Sequence, residues 1–409
     1  MKTLLIIGYV WIEKTTGAGN RMLQLIEVFK KQGYAITFAT PAQKTENSIN
    51  LFSLGIKEVS IELNSSSFDE FIKDLKPNIV LFDRFMMEEQ FGWRVAENSP
   101  KSLRVLDTED LHFLRKTRHQ QLKKGEEFTN EALLQSDDAK REIAAILRCD
   151  LSLIISSYEV KLLKEVFKID EKLLCHLPFL LNAINEKTIA DWKSFEEREH
   201  FVFIGNFFHA PNVDAVLQLK SIRKSIRKQL PKAEIHIYGA YATQQIQQLD
   251  KPQEGFIVKG FAEEAIEVVK KAKVVLAPLR FGAGIKGKLT EAMLCGTPSV
   301  TTVIGAEGMH TDLPWNGFVE DNLEEFANKA IELYTNENVW KEAQKNGVKI
   351  INELYDKEKL EQPFINQIKN LQENLNAHRI QNFFGSLLQH QTLRAIKYMS
   401  KWIEEKNRG

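Results

Sequence analysis

Residues 278–302 read PLRFGAGIKGKLTEAMLCGTPSVTT. Immediately before them, KVVLAP is short, apolar and β-branched, the composition of a buried strand. KLTEAMLC then has helical composition, and Gly296 followed by Pro298 supplies a stop. Lys286 and Lys288 therefore stand where a glycine-rich loop turns into a helix, the end at which the helix dipole disfavours cations. Backbone N–H groups at a helix start, bared by Gly282, Gly284 and Gly287, form a cradle for an anion, with phosphate the first choice. Gly282, Gly287 and Lys288 match the spacing of a P-loop, but Leu289 stands where Ser or Thr would hold magnesium. Gly282, Gly284 and Gly287 also match G-x-G-x-x-G, with Glu307 at about the right distance for a ribose. That fingerprint normally opens a domain, and this loop comes late in one. The bland alternative is a tight strand-to-helix turn with solvated lysines.

Outward from this stretch the chain alternates strand and helix. HFVFIGNF, AEIHIYGA, GFIVKGF, KVVLAP and PSVTTVI are five short apolar strands with helical segments between most of them. The same grammar occurs earlier. TLLIIGYV is a strand and TTGAGN a loop carrying Gly17 and Gly19; RMLQLIEVFKKQG then places Met22, Leu25, Ile26 and Phe29 at helical spacing and stops at Gly33. YAITFAT, NIVLFDRF and LRVLDTED continue the series, followed by a charged helical stretch over about 120–148 and the strand LSLIISS. Two such series predict an α/β protein with two Rossmann-like domains, residues 1–181 and 200–350, facing each other across a cleft. The polar stretch 182–199 reads as a linker, and residues 351–409 as helices without a strand. From His378 the tail gains aromatic and basic residues, and Phe383, Phe384, Leu387, Leu388 and Gln391 fall near one helical face. Such a helix packs back on the N-terminal domain, the reading its apolar content favours, or lies on an anionic membrane.

Composition narrows the function classes. The chain has 409 residues, and 55 Lys plus Arg balance 55 Asp plus Glu, so no net field attracts nucleic acid. Cys149, Cys175 and Cys295 lie far apart with no C-x-x-C spacing, which suits a reducing compartment and argues against a zinc site. The opening MKTLLIIGYVWI has the charged start of a signal peptide, but its apolar run is short and no small-residue cleavage site follows, so it reads as a first strand. No run reaches the length of a membrane span. The expectation is a cytoplasmic protein whose one possible membrane contact is the tail helix.

FIGNFFHAPNVDAV, IHIYGA, VKGF and APLRFGAGIKGKLTEAMLCGTPSVTTVIGAEGM, in that order, resemble the donor-binding half of family 4 glycosyltransferases, which have the GT-B fold. TTGAGNRMLQLIEVFKKQGYAITFAT looks like that fold's first glycine loop and helix. The resemblance implies a nucleotide-sugar bound mainly by the C-terminal domain, a glycan or lipid-linked acceptor toward the N-terminal domain, retention of anomeric configuration, and no cofactor or metal. Glu291 matches the second glutamate of the family's E-x7-E motif, which holds the ribose; a carboxylate suits two hydroxyl donors. The first glutamate is replaced by Ala283, and the family's basic pair by Asn206 and Pro211. The N-terminal histidine of the family is replaced by Glu109, with His112 three residues on.

These departures direct attention back to the opening stretch. Cleaving a sugar–diphosphate bond requires stabilisation of the growing charge on the leaving phosphate. Arg280 offers a bidentate fork and Lys286 a point charge, so Arg280, Lys286 and Glu291 are the expected catalytic set. Gly17, Gly19, Gly282, Gly284 and Glu307 complete the expected donor site. Weaker candidates are a metal cluster of Asp107, Glu109, Asp110 and His112, and an acceptor loop in DRFMMEEQFGW, which reads equally well as a helix start. The rival functions are a sugar-nucleotide-binding protein without catalysis, a GT-B-like epimerase or phosphorylase, and a dinucleotide-dependent enzyme.

Overall fold

The computed structural model describes residues 2–14 and 16–407, with the backbone alone over 391–394. The chain forms two compact units: unit 1 is Met1–Thr117, Glu127–Leu180 and Glu358–Gly409; unit 2 is Arg118–Glu126 and Leu181–Lys357.

Unit 1 is built on seven parallel strands: β1 (Lys2–Ile7), β2 (Tyr34–Thr40), β3 (Lys57–Ser60), β4 (Ile79–Asp83), β5 (Leu103–Asp107), β6 (Leu151–Ile154) and β7 (Leu174–His176). Their order is β3-β2-β1-β4-β5-β6-β7. Leu4, Leu5, Ile6 and Ile7 are wholly buried, as are Ile79, Val80, Leu81 and Phe82. Such unbroken apolar runs are what a parallel sheet covered on both faces requires. β3 and β7, short and partly polar, carry no such run, and the sequence pattern did not reveal them. In the helix Gly17–Lys31, Thr16 Oγ1 accepts from Gly19 N–H at 2.9 Å, and Met22, Leu25, Ile26 and Phe29 are buried at the predicted spacing.

The tail belongs to unit 1. Phe364, Ile365, Ile368 and Leu371 of the helix Lys357–Glu373 enter its core, with Phe364 edge-on to Phe29 at 5.8 Å. Beyond them the contact is polar rather than the apolar one expected. Arg379 Nη2 and Nε bond the buried Asp150 carboxylate, each at 2.7 Å, and Asn382 Nδ2 and Gln389 Nε2 reach the Leu147 and Arg148 carbonyls. Phe383 and Phe384 remain 68% exposed, and Ile380, Leu387, Tyr398, Met399 and Trp402 are exposed as well. The side chain of Gln391 lies outside the described residues.

Unit 2 repeats the architecture with six parallel strands: β8 (Glu199–Ile204), β9 (Ile235–Tyr238), β10 (Phe256–Gly260), β11 (Ala272–Ala277), β12 (Ser299–Thr301) and β13 (Gly317–Val319), ordered β10-β9-β8-β11-β12-β13. In each sheet the connections run outward in opposite directions from the central pair, β1 with β4 and β8 with β11. That reversal opens a crevice at their carboxyl ends. The stretch 182–199, read from its polarity as a linker, belongs to unit 2. It contains the helix Glu186–Ala190; Trp192 Nε1 donates to the Leu294 carbonyl at 3.1 Å; and Arg198, 1% exposed, donates to Cys295 O at 2.9 Å and Thr297 Oγ1 at 2.6 Å. A buried guanidinium holds this segment against unit 2, a pairing that polarity alone does not disclose. The chain leaves and re-enters unit 2 side by side: Leu181 N–H bonds Tyr355 O and Lys357 N–H bonds Leu181 O, both at 2.8 Å.

Candidate active site

The crevice of unit 2 is framed by two loops. After β8 come residues 205–209 and the helix Ala210–Gln229; after β11 come residues 278–286 and the helix Gly287–Leu294. The second loop is pinned from below by Thr301 Oγ1 to Ala277 O at 2.8 Å and Thr302 Oγ1 to Leu279 O at 2.5 Å. From the side, Arg118 donates to Gly282 O at 2.9 Å. Phe281 stacks on His119, centroids 4.2 Å apart, and burial together with Lys123 holds that histidine below its ordinary pKa against the opposing pull of Asp214. Gly284 takes φ +63°, the left-handed conformation a side chain would resist. Lys286 is the N-cap of the following helix and supplies no side-chain cap. The dipole end therefore keeps the anion-seeking character expected of it.

The predicted site residues of this half gather around the loop, but their side chains are engaged in ways the sequence did not show. Arg280 spends its fork on Asp214 of the helix after β8, with Nε to Oδ2 at 2.9 Å. Glu307 forms a bidentate pair with Arg118 at 2.7 and 2.8 Å, so its carboxylate holds a loop support in place. Lys286 is 9% exposed and donates back to Gly284 O at 2.9 Å. Glu291 lies one turn into the helix; burial raises its carboxyl pKa, and Lys288 partly offsets that. Lys288, read from sequence as a possible solvated lysine, is instead drawn inward. Its Nζ donates to Asn212 Oδ1 at 2.7 Å and sits 4.0 Å over the Phe203 ring, and burial pushes its pKa down to about 7 despite the attraction of Glu291. Its approach to Gly205 at the end of β8 is a contact between residues far apart in the chain, which the sequence did not disclose.

Gly17 and Gly19 belong to unit 1. A side chain on Gly19 would run into the Glu13 carbonyl oxygen, whereas one on Gly17 would meet only Phe179 at 4.0 Å. Gly19 thus has a close-approach reason to be glycine and Gly17 has none. At the end of β5, Glu109 adopts φ +62° and buries Oε1 without a hydrogen-bond partner. Burial, with Asp107 and Asp83 adding to it and Arg84 and Arg21 opposing, raises its pKa well above the ordinary carboxylate range. Asp107 is paired to Arg21 at 2.9 Å, Asp110 to Arg115 at 2.7 Å, and His112 Nδ1 lies 3.1 Å from Asp110 O. These residues do not form a metal-ligating group. The His/Glu group found among the described residues is His200, Glu234 and His236, at the opposite, amino ends of β8 and β9. DRFMMEEQFGW is a helix start: Glu88 pairs with Arg148 at 2.9 Å and Glu89 with Arg141 at 3.0 Å.

Two parallel-sheet α/β units with crevices at their strand carboxyl ends define a GT-B-type fold. The structure of a TarM variant from S. aureus, solved with fondaparinux, α-GlcNAc-glycerol and UDP, is similar with a TM-score of 0.67 at 11% identity, over 90% of this chain and 99% of that one. Sucrose-phosphate synthase from Thermosynechococcus elongatus gives 0.65 at 16% identity over 92% and 100%. Anabaena HepE, solved with UDP and glucose, gives 0.63 at 13% over 90% and 100%. Within this fold, residues 198–336 match the family model described as glycosyl transferases group 1. No curated protein matches the chain.

Proposed function

We propose that the protein moves a sugar from a nucleotide-sugar donor to a glycan or lipid-linked acceptor, with the donor in the crevice of unit 2. The observation that carries this reading is one constellation at the β8/β11 switch point: an uncapped helix N-terminus, inward-turned lysines, and Glu291 one turn along. The helix N–H groups and lysines suit a diphosphate, and Glu291 suits a ribose. Stabilising charge on the departing diphosphate is the chemistry such a site supplies, with Arg280 and Lys286 flanking the loop. Protein cations meet that charge, so the reading assigns no cofactor or metal. The UDP held by two structures of this fold supports a uridine-based donor. Retention of configuration follows from the resemblance to family 4. The exposed aromatic row on the tail supports a membrane-borne acceptor.

The test is a panel of UDP-sugars followed by UDP release with and without glycan acceptors. Acceptor-dependent release is the expected result. Binding without release from any donor would establish the non-catalytic reading, and interconversion of the sugar without release would establish an epimerase. Glu291→Ala should weaken uridine itself, since its proposed partner is the ribose.

A further inference from the structure

Four cations surround the crevice loop, and their partners differ. Arg280 and Arg118 each face a carboxylate, Asp214 and Glu307, and Lys286 donates to its own loop at Gly284 O. Lys288 forms no salt bridge among the described residues. Its ammonium meets the neutral amide of Asn212 and the Phe203 ring, and Glu291 on its own helix is the one charged group that acts on it. The bare backbone of Gly205 admits it: a Cβ there would lie 2.8 Å from Lys288 Nζ and 2.7 Å from Asn212 Nδ2. Asn212 in turn donates to Asn206 O at 2.8 Å, so the amide is oriented with its oxygen toward the lysine. The ammonium is thus held where the loops after β8 and β11 diverge, with no carboxylate at salt-bridge distance among the described residues.

We propose that Lys288 is the cation that receives the donor's diphosphate, in a cradle formed with Asn212, the Gly205 backbone and the helix N-terminus. The inference rests on the donor reading above. It carries a consequence for protons. Burial pushes the Lys288 pKa down to about 7, so near neutral pH part of its amines is uncharged. An arriving dianion favours the charged form, so the amine takes one proton from solvent and becomes the ammonium that bonds the phosphate oxygens. Asn212 and Phe203, which pack against it from the neighbouring helix and strand, do not titrate in this range, and Glu291 on its own helix is the titratable group that acts on it, its pKa raised by burial and lowered by Lys288.

Calorimetric titration of UDP and of uridine at pH 7, in two buffers of different ionisation enthalpy, measures that proton. The wild-type protein should take up more protons per UDP than Lys288→Met. The variant should bind UDP ~10–100-fold more weakly and uridine within about twofold, the scale of a lost hydrogen bond to a charged group. Lys288→Arg, permanently charged, should restore UDP binding without the extra uptake and keeps the test decisive if the methionine variant does not fold. Equal UDP affinity and equal uptake in wild type and Lys288→Met, or undiminished uptake in Lys288→Arg, would overturn the assignment while leaving the donor reading intact. A wild-type protein that binds none of UDP, GDP and ADP would overturn the donor reading and this inference with it.

Discussion

At the scale of single residues, the strand-to-helix loop 278–286 was legible from glycine spacing and helix polarity, but the partners of its side chains were not. Arg280 and Glu307 present the right chemistry, yet each meets a partner far away in sequence, Asp214 and Arg118. Which cation stands without a salt-bridge partner among the described residues is decided by those distant partners. Glu109 offers a separate test in unit 1. Its folded pKa is raised, so the stability gained from the neutral acid is complete below the unfolded value of about 4.3 and is lost as pH rises through the folded value. Glu109→Gln does not titrate. Its melting temperature relative to wild type should therefore climb as pH rises above the unfolded carboxylate value, and a difference that stays flat from there upward would contradict a buried neutral acid.

At the scale of elements, the helix Gly17–Lys31 was readable because period, cap and stop agree, and the long apolar strands because parallel sheets bury both faces. The tail was half legible. Its apolar face suggested packing, whereas polar anchors make the contact and leave Phe383, Phe384 and Trp402 outward. Asp150 is buried, which alone would raise its pKa, but Arg379 and Arg104 bring it below the ordinary value. Arg379→Ala leaves that carboxylate buried without its fork and should cost about 3 kcal/mol at pH 7, measured by denaturant unfolding. Because the folded pKa is depressed, the loss should shrink as pH falls through the carboxylate range. By contrast, Phe383→Ser, Phe384→Ser and Trp402→Ser together should leave the melting temperature unchanged, since these side chains are exposed. The triple variant should lose binding to phosphatidylglycerol vesicles if the tail meets a membrane; a wild-type protein that ignores such vesicles sinks that part of the proposal.

At the scale of the whole molecule, each unit has its own sheet, and the residues of the proposed donor cradle lie entirely within unit 2. Limited proteolysis at saturating UDP should therefore protect unit 2 more than unit 1. At a hundredfold excess over Kd the bound form gains about 2.7 kcal/mol, enough to slow cleavage through local unfolding. Equal protection of both units, or of unit 1 alone, would place the ligand elsewhere. The alternation of strand and helix and the placing of glycines before helices are local patterns, so the sequence by itself determined a doubly wound architecture occurring twice and a glycine-rich strand-to-helix loop in the second copy. Tertiary structure decided the rest. Segment 182–199 joins unit 2 through the buried Arg198, and Lys288 rather than a solvated residue reaches the switch point. Both outcomes depend on desolvation and on hydrogen bonds between residues far apart in the chain, which no local pattern records.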